Sequence, residues 1–368
     1  MFLNIPTNWD NEILNTVEKI NSSSQFNYKV GQIYGSSLND IGSGRLDTPM
    51  VEDIVLKDHI NKCHELGVMF NFVINSPSLG GIEHDQVHRE KILDVIRWIS
   101  DLGADIVTVS IPFLGELINH HFPHLKVKMS TILDVRNVQG IRLLDQLGPN
   151  IHSITLSRFI NREMQLLKNI VHEIDFEVEL LANSFCLHNC PYQKYHADLV
   201  CWQAKTDKNW KEPFQDYRAL GCDGIRFRDP SELIKSPWIR PEDLIIYENL
   251  GIHSIKIAGR TFPTQWIVKI IKAYAKGSYD GNLWELIMPF HPVYVDNKLL
   301  DGFIDYFSRK KFDCGVNCGT CTYCNEVADK VVTFNEEKEE YLEDLDKRLE
   351  GRIDRELQVQ PYLAQSRI

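Results

Sequence analysis

Residues Ser153 to Asn183 read SITLSRFINREMQLLKNIVHEIDFEVELLAN. Ser153–Arg158 and Phe176–Asn183 are short runs of strand composition, and Arg162–Val171 between them carries apolar residues at helical spacing, with Leu167, Ile170 and Val171 on one face. Strand, helix and strand in so short a span make a βα unit whose two strands run parallel. Outward from it the alternation repeats. Lys29–Gly35, Val68–Asn75, Ile106–Ile111 and Val127–Ile132 precede it as predicted strands, and Gly224–Arg228 and Ser254–Gly259 follow. Further helices are predicted over Gln86–Leu102, Val138–Leu147, Pro241–Leu250 and Pro263–Tyr274. Several close on a glycine, at Gly67, Gly103, Gly148 and Gly251, as short αβ loops require. Eight strands, mostly too apolar for one wet face, predict an α/β fold in which residues 1–276 form a (β/α)8 TIM-type barrel. An open doubly wound sheet is the alternative.

The regular spacing breaks once. Residues 184–222 form an insertion after the sixth predicted strand, where a short loop belongs, and loops of that length are usually functional. Residues 277–368 form a C-terminal extension with a cysteine cluster and a charged helix over Asn335–Leu357. Its acidic run reads as a solvated face.

The nine cysteines fall mainly into two groups. Cys186, Cys190, Cys201 and Cys222 lie in or at the end of the insertion. Cys186 and Cys190 leave one strand together and Cys222 precedes the next, so these three are expected to converge at the barrel mouth, with Cys201 as the fourth. The second group is Cys314-x3-Cys318-x2-Cys321-x2-Cys324. Glycines between its thiols let four sulfurs surround one centre, either zinc or an iron–sulfur cluster. Its first three cysteines match the spacing of radical S-adenosylmethionine enzymes, but that motif belongs after the first strand of a barrel. The N-terminus shows no basic region followed by a long apolar run, which predicts a cytoplasmic protein with reduced thiols and no membrane span. A net charge of −11 argues against broad nucleic-acid binding through the phosphate backbone.

Barrel enzymes place their chemistry at the C-terminal ends of the strands. The residues expected there include Tyr34, Ser36, Asn75, Ser110, Ser130, Thr131 and Asn183, with Arg158, Arg226, Arg228, Asp229 and Arg260 as the substrate-contacting set. That many guanidinium groups suit an anionic substrate. The Gly-rich stretch after the first predicted strand, GSSLNDIGSGR, has no phosphate-loop lysine and reads as a rim loop. Hydrolytic signatures are missing: neither G-x-S-x-G nor H-E-x-x-H occurs, and His84, Asp85 and His88 are the nearest histidine–carboxylate cluster.

Four stretches in this order carry a family resemblance: ADIVTVSIPFLGELINHHFPHLKVKMST, SITLSRFINREMQLLKNI, FEVELLANSFCLHNCP and SIKIAGRTFPTQWIVKIIKAY. The last matches the L-K-I-x-G-R strand of the U32 peptidases through Ile255, Lys256, Ile257, Gly259 and Arg260, and the resemblance spans Tyr28 to Tyr274. It implies a barrel enzyme of a family named for collagenase-like proteases, whose relatives include iron–sulfur proteins supporting oxygen-independent hydroxylation of ubiquinone precursors or RNA bases. By order, their cluster ligands correspond to Cys186, Cys190, Cys201 and Cys222. Two departures stand out: the first pair is shortened to C-x3-C, and Ala258 replaces the acid before Gly259-Arg260. Together these readings predict a redox or hydroxylating enzyme with a [4Fe-4S] cluster at the mouth and a second cluster or zinc in the extension, served by an electron-donor protein or partner subunit. A peptidase and a non-catalytic electron-transfer subunit are the alternatives.

Overall fold

The computed structural model describes residues 1–45, 48–203, 205, 217–288, 292–309 and 314–350. Eight parallel strands close on themselves, β1 Phe2–Pro6, β2 Lys29–Gly35, β3 Met69–Val73, β4 Ile106–Val109, β5 Lys126–Met129, β6 Ser153–Thr155, β7 Glu177–Leu181 and β8 Ser254–Lys256, with β8 pairing β1. The helices around them are α1 Asn11–Ser22, α2 Asp53–Glu65, α3 Gln86–Asp101, α4 Pro112–His121, α5 Val138–Leu147 and α6 Met164–Glu173. After β7 come α7 Gln193–Gln203, α8 Tyr217–Arg228, α9 Ser231–Lys235 and α10 Leu244–Asn249, and α11 Thr264–Lys276 follows β8. The fold is the expected (β/α)8 barrel.

Two strand assignments change. The first strand is FLNIP at the N-terminus, so the insertion follows the seventh strand of the barrel rather than the sixth. Gly224–Arg228 is the end of α8, not a strand. Leu220, Gly224 and Phe227 are buried at helical spacing there, while Ile225 is 50 % exposed, the reverse of what a buried strand would show. Gly103 and Gly251 do take left-handed φ values of 92° and 89° where helix gives way to loop, but Gly148 is extended.

The extension adds α12 Trp284–Ile287, β9 Val293–Val295, α13 Asp305–Arg309, α14 Cys314–Asn317, α15 Tyr323–Val331, β10 Val332–Phe334 and α16 Lys338–Leu349, with β9 and β10 antiparallel. Of the predicted helix over Asn335–Leu357, Lys338–Leu349 is helical, and the part beyond Glu350 lies outside the described residues. The extension packs α15 on α9 and α16 on α8. Among the described residues no helix is long and apolar enough to cross a membrane.

The barrel interior is polar where such barrels usually carry layers of branched apolar side chains. Glu179 accepts from Lys128 at 2.6 Å, from Thr155 at 2.5 Å and from Asn4. Lys128 also donates to Gln32 at 3.2 Å, Asn71 donates to Gln32 at 2.9 Å, and Thr108 donates to Asn71 at 2.8 Å. Ser254 accepts from Asn4 at 3.0 Å. One connected network therefore takes a side chain from each of the eight strands. Removing one member of a buried ion pair leaves the other uncompensated and typically costs about 3–5 kcal/mol. We expect Lys128→Met to lose stability on that scale in urea denaturation, and Lys128→Met with Glu179→Leu to recover part of it. A single variant as stable as the parent would show that the pair does not hold the interior together.

Candidate functional site

Past β7 and β8 the two chains are stapled side by side. Asn183 Nδ2 donates to the Ala258 carbonyl at 2.9 Å, and the Ala258 N–H donates to Asn183 Oδ1 at 2.7 Å. The loop holding Cys186 and Cys190 starts directly beyond, at the C-terminal mouth. It is anchored from across the rim. Asn189, left-handed at φ 51°, accepts from Arg136 at 2.9 Å. Arg136 is in turn held by Asp134 at 2.8 Å and lies 4.7 Å over the Phe159 ring. Asp134 sits at φ 63° and accepts from Ser157, so two strained non-glycine residues brace this loop.

Arg158, just past β6, donates from Nη1 to Cys186 Sγ at 3.1 Å. Arg226, 1 % exposed, donates to the carbonyl of Phe185 and to Asp223, gripping the residue next to Cys186. Burial alone would raise the Cys186 thiol, but the charges of Arg158 and Arg226 and hydrogen bonds from Ser184 and Arg158 outweigh it and hold the pKa below its ordinary value. Cys222 lies one helical turn before Arg226 and comes to the site on α8 rather than ahead of a strand. Burial pushes its thiol to about 11, Arg226 opposes this, and Cys190 and Cys186 add to it, which places the three thiols in one electrostatic neighbourhood. Cys201 stands apart. It is fully buried on α7, its sulfur 3.9 Å from the Asn75 carbonyl, with Arg260, Asp198 and Lys205 around it. Burial raises its thiol to about 12.

The remaining wall is cationic. Arg260 is 7 % exposed, and its Nε and Nη2 have no hydrogen-bond partner among the described residues. Burial lowers its pKa to about 10; Tyr34 opposes the shift and Arg45 adds to it. Lys256, at the end of β8, holds its ammonium 4.1 Å over the Tyr34 ring. Burial lowers it to about 7 against the pull of Glu179, with Lys128, Arg260 and Arg45 lowering it further. Arg45, from the Gly-rich loop, is near Tyr34, Arg158 and Cys186 alike. Asn75 ties that loop down, accepting from the Gly44 N–H at 2.8 Å and donating to Ser130 at 2.9 Å. Ser110 donates to the Asn75 carbonyl and Thr131 to that of Leu156, so these polar side chains build the rim.

Three sequence-based placements change. Arg226 reaches the site from a helix, as a clamp on the cysteine loop. Arg228 points away and donates to Asp346 of α16 at 2.7 Å, both residues exposed. Asp229 accepts from the N–H and hydroxyl of Ser231 at 3.0 and 2.6 Å, opening α9, because an acceptor is needed where a helix starts. Arg45 and Lys256 were not singled out as mouth residues. Lys256 carried a signal: it shares the inward parity of Ser254 on a strand otherwise apolar.

The sequence profile of peptidase family U32 matches residues 42–191, from the Gly-rich loop through Cys190. An uncharacterized protease of Methanocaldococcus jannaschii is 31% identical over 330 residues, which cover 86% of this chain and 94% of that protein. The chain belongs to peptidase family U32. The tRNA hydroxylation protein P of Escherichia coli is 26% identical over 123 residues, 32% of this chain and 25% of its own. A solved U32 peptidase superposes with a TM-score of 0.51 at 16% identity, covering 72% of this chain and 95% of that one, which supports the fold.

Among the described residues, no three histidine, cysteine or carboxylate side chains already stand close enough to hold a single metal ion. Three soft thiols beside two guanidinium groups nonetheless suit an anionic, thiolate-ligated iron–sulfur cluster better than a hard cation. In metal-free protein at neutral pH, Cys186 should be carboxymethylated by iodoacetate well before Cys201, since thiolates are the reactive form. Peptide mass mapping reads the order, and equal rates would contradict the electrostatics described. After anaerobic reconstitution, Cys190→Ser and Cys222→Ser should lose iron and sulfide, while Cys201→Ser should keep them. Loss in the Cys201 variant would show that the loop rearranges to recruit a fourth thiolate.

Proposed function

We propose that this U32 protein is an iron–sulfur-dependent enzyme that performs oxygen-independent hydroxylation, or a related redox modification, of an anionic or polar substrate at the barrel mouth. The observation that carries this reading is the 3.1 Å contact of Arg158 with Cys186, at a mouth whose other wall holds the unpartnered donors of Arg260. Cys186, Cys190 and Cys222 would hold a [4Fe-4S] cluster. When bound, the cluster supplies one-electron transfer beside the substrate. Arg158 and Arg226 offset its negative charge and fix the loop that carries it. Arg260 and Arg45 bind the anionic part of the substrate, since buried guanidinium donors without partners are costly until an anion satisfies them. Lys256, with its pKa near neutrality, stands ready to hold or release a proton at Nζ. The Escherichia coli relative, named for tRNA hydroxylation, supports hydroxylation.

The Methanocaldococcus jannaschii relative is named a protease, which makes a peptidase the second reading. The residues offer it little. Asp85 opens α3 by accepting from the His88 N–H at 3.0 Å and contacts His88 Nδ1 at 2.7 Å, both side chains exposed, so the nearest histidine–carboxylate cluster is a helix cap.

Anaerobically purified protein should be brown, carry iron and sulfide, and leave casein and gelatin uncut. Colourless protein that cleaves either would return the family's older activity. Arg260→Ala should weaken binding of inorganic phosphate, used as an anion probe in calorimetry, by about 1.5–3 kcal/mol, a tenfold loss or more. Arg260→Lys separates charge from the planar fork, and full affinity in that variant would show that charge alone suffices.

A further inference from the structure

The cysteines of the extension return to the barrel. One cleft, of about 360 Å3 with open solvent included, is bordered by Cys314, Cys318 and Cys324 together with Arg158, His188 and Lys235. Arg158 is the residue that contacts Cys186, and His188 lies between Cys186 and Cys190 in the chain. The extension cysteines therefore share a cleft with the guanidinium that contacts Cys186 and with an imidazole from the loop that carries Cys186 and Cys190. An adjoining cleft is bordered by all four extension cysteines, Tyr306, Phe307, Tyr323 and again Lys235. Tyr306 and Tyr323 stack at 3.8 Å, and the Tyr306 hydroxyl lies 3.5 Å from Cys321 Sγ, so an aromatic pair shields one side of the group.

The charges around this group are lopsided. Arg162, 8 % exposed, donates to the carbonyls of Ile234 and Ser236 at 2.7 Å each and lies 4.5 Å from the Trp238 ring and 4.9 Å from that of Phe303. It forms no ion pair with a carboxylate among the described residues, and Cys324, Tyr247, Cys314 and Asp243 lie within its electrostatic reach. A buried cation without an ion-pair partner is expensive, and a negatively charged, thiolate-ligated centre beside it would offset that cost.

We propose that Cys314, Cys318, Cys321 and Cys324 hold a second iron–sulfur cluster, and that it relays single electrons from an external one-electron carrier to the centre held by Cys186, Cys190 and Cys222. The relay rests on reading the barrel cysteines as a cluster site; the second centre does not. Four thiolates leave no open coordination position, so this centre exchanges electrons and not ligands. Zinc accepts the same four thiolates but has no redox chemistry, and would make no use of a position beside Arg158, the residue that contacts Cys186. Each transfer balances: the carrier is oxidised by one electron as the extension centre is reduced, and that centre is reoxidised as the barrel centre gains the electron.

The test uses full-length protein reconstituted anaerobically with iron and sulfide. The parent should carry two clusters and no zinc. After dithionite reduction its electron paramagnetic resonance spectrum should be broadened by coupling between two nearby spins. Cys318→Ser/Cys321→Ser and Cys186→Ser/Cys190→Ser should each keep one cluster and give a simple, uncoupled spectrum. Zinc in the parent at the extension's stoichiometry overturns the second cluster without any variant having to fold. A parent spectrum equal to the plain sum of the two variants' spectra overturns the relay. If Cys186→Ser/Cys190→Ser keeps all the iron while Cys318→Ser/Cys321→Ser loses all of it, the barrel centre and the relay fall together, and the extension's own centre is upheld.

Discussion

Glu179 and Lys128 face each other inside the barrel at 2.6 Å, both side chains essentially without solvent. Burial alone would raise the Glu179 carboxyl, yet Lys128, Lys256 and the hydrogen bonds from Lys128 and Thr155 hold it below its ordinary value. An ion pair in that position repays its desolvation only if the remaining lone pairs and protons are also satisfied. Asn4, Thr155 and Gln32 do that, and through Gln32 the network reaches β3 and β4. The pair thus demands a partner from every strand. In return, the network makes strand register depend on matched polar groups as well as on apolar packing outside the barrel, since slipping one strand by a residue would turn its polar group out of the interior.

The same network sets the floor of the mouth. Lys128 and Glu179 neutralise each other, and among the described residues the cations one layer up form no ion pair with a carboxylate of their own. Lys256 rests on an aromatic face, Arg260 keeps two unpartnered donors, and Arg45 lies close to both Arg158 and Arg260. A protein with a net charge of −11 therefore concentrates positive charge at one concave place. Low-dielectric walls strengthen that field over what the same charges would give on an open surface. The lowered thiol of Cys186 answers that field, which explains why the cysteine loop and the arginines share one rim.

Much of this was legible in the sequence, and the failures have physical causes. Seven of the eight barrel strands were read from apolar runs between helices. FLNIP escaped because five residues at a chain end carry too little pattern to tell a strand from a loop. GIRFR misled because its alternation imitates a strand, whereas burial follows Leu220, Gly224 and Phe227 at helical spacing and leaves Ile225 outside. That error carried Arg228 and Asp229 to the wrong place. It left the expectation for Cys222 usable by a different route, since α8 brings that thiol alongside Cys186 and Cys190. The interior network had a visible signature in Gln32, Asn71, Thr108, Lys128, Thr155 and Glu179, polar residues standing inside apolar strands. Its meaning depended on knowing that all of them share one parity in a closed sheet. No local pattern could have shown that the extension folds back against the cysteine loop.

That return contact makes the extension part of the site rather than an appendage. Helix α8 presents Cys222 and Arg226 to the barrel mouth on one side and Phe227 to the extension on the other. Phe227 meets Phe334 at 5.8 Å and Tyr341 at 5.2 Å, both edge-on, and the Tyr341 hydroxyl contacts Asp223, the carboxylate that Arg226 also engages. The exposed Arg228–Asp346 pair adds little, because surface ion pairs contribute about 0–1 kcal/mol. The aromatic contacts of buried Phe227 carry more, about 0.5–1.5 kcal/mol each beyond the area they cover. On the barrel side Arg226 ties the same helix to the Phe185 carbonyl, and Leu220 is buried in the core. The position of Cys222 relative to Cys186 is therefore held from both sides, by Arg226 on the cysteine loop and by β10 and α16 of the extension. The alignment with the Methanocaldococcus jannaschii relative covers 86% of the chain, more than residues 1–276 can account for, so it reaches into the extension, as expected if barrel and extension act as one unit.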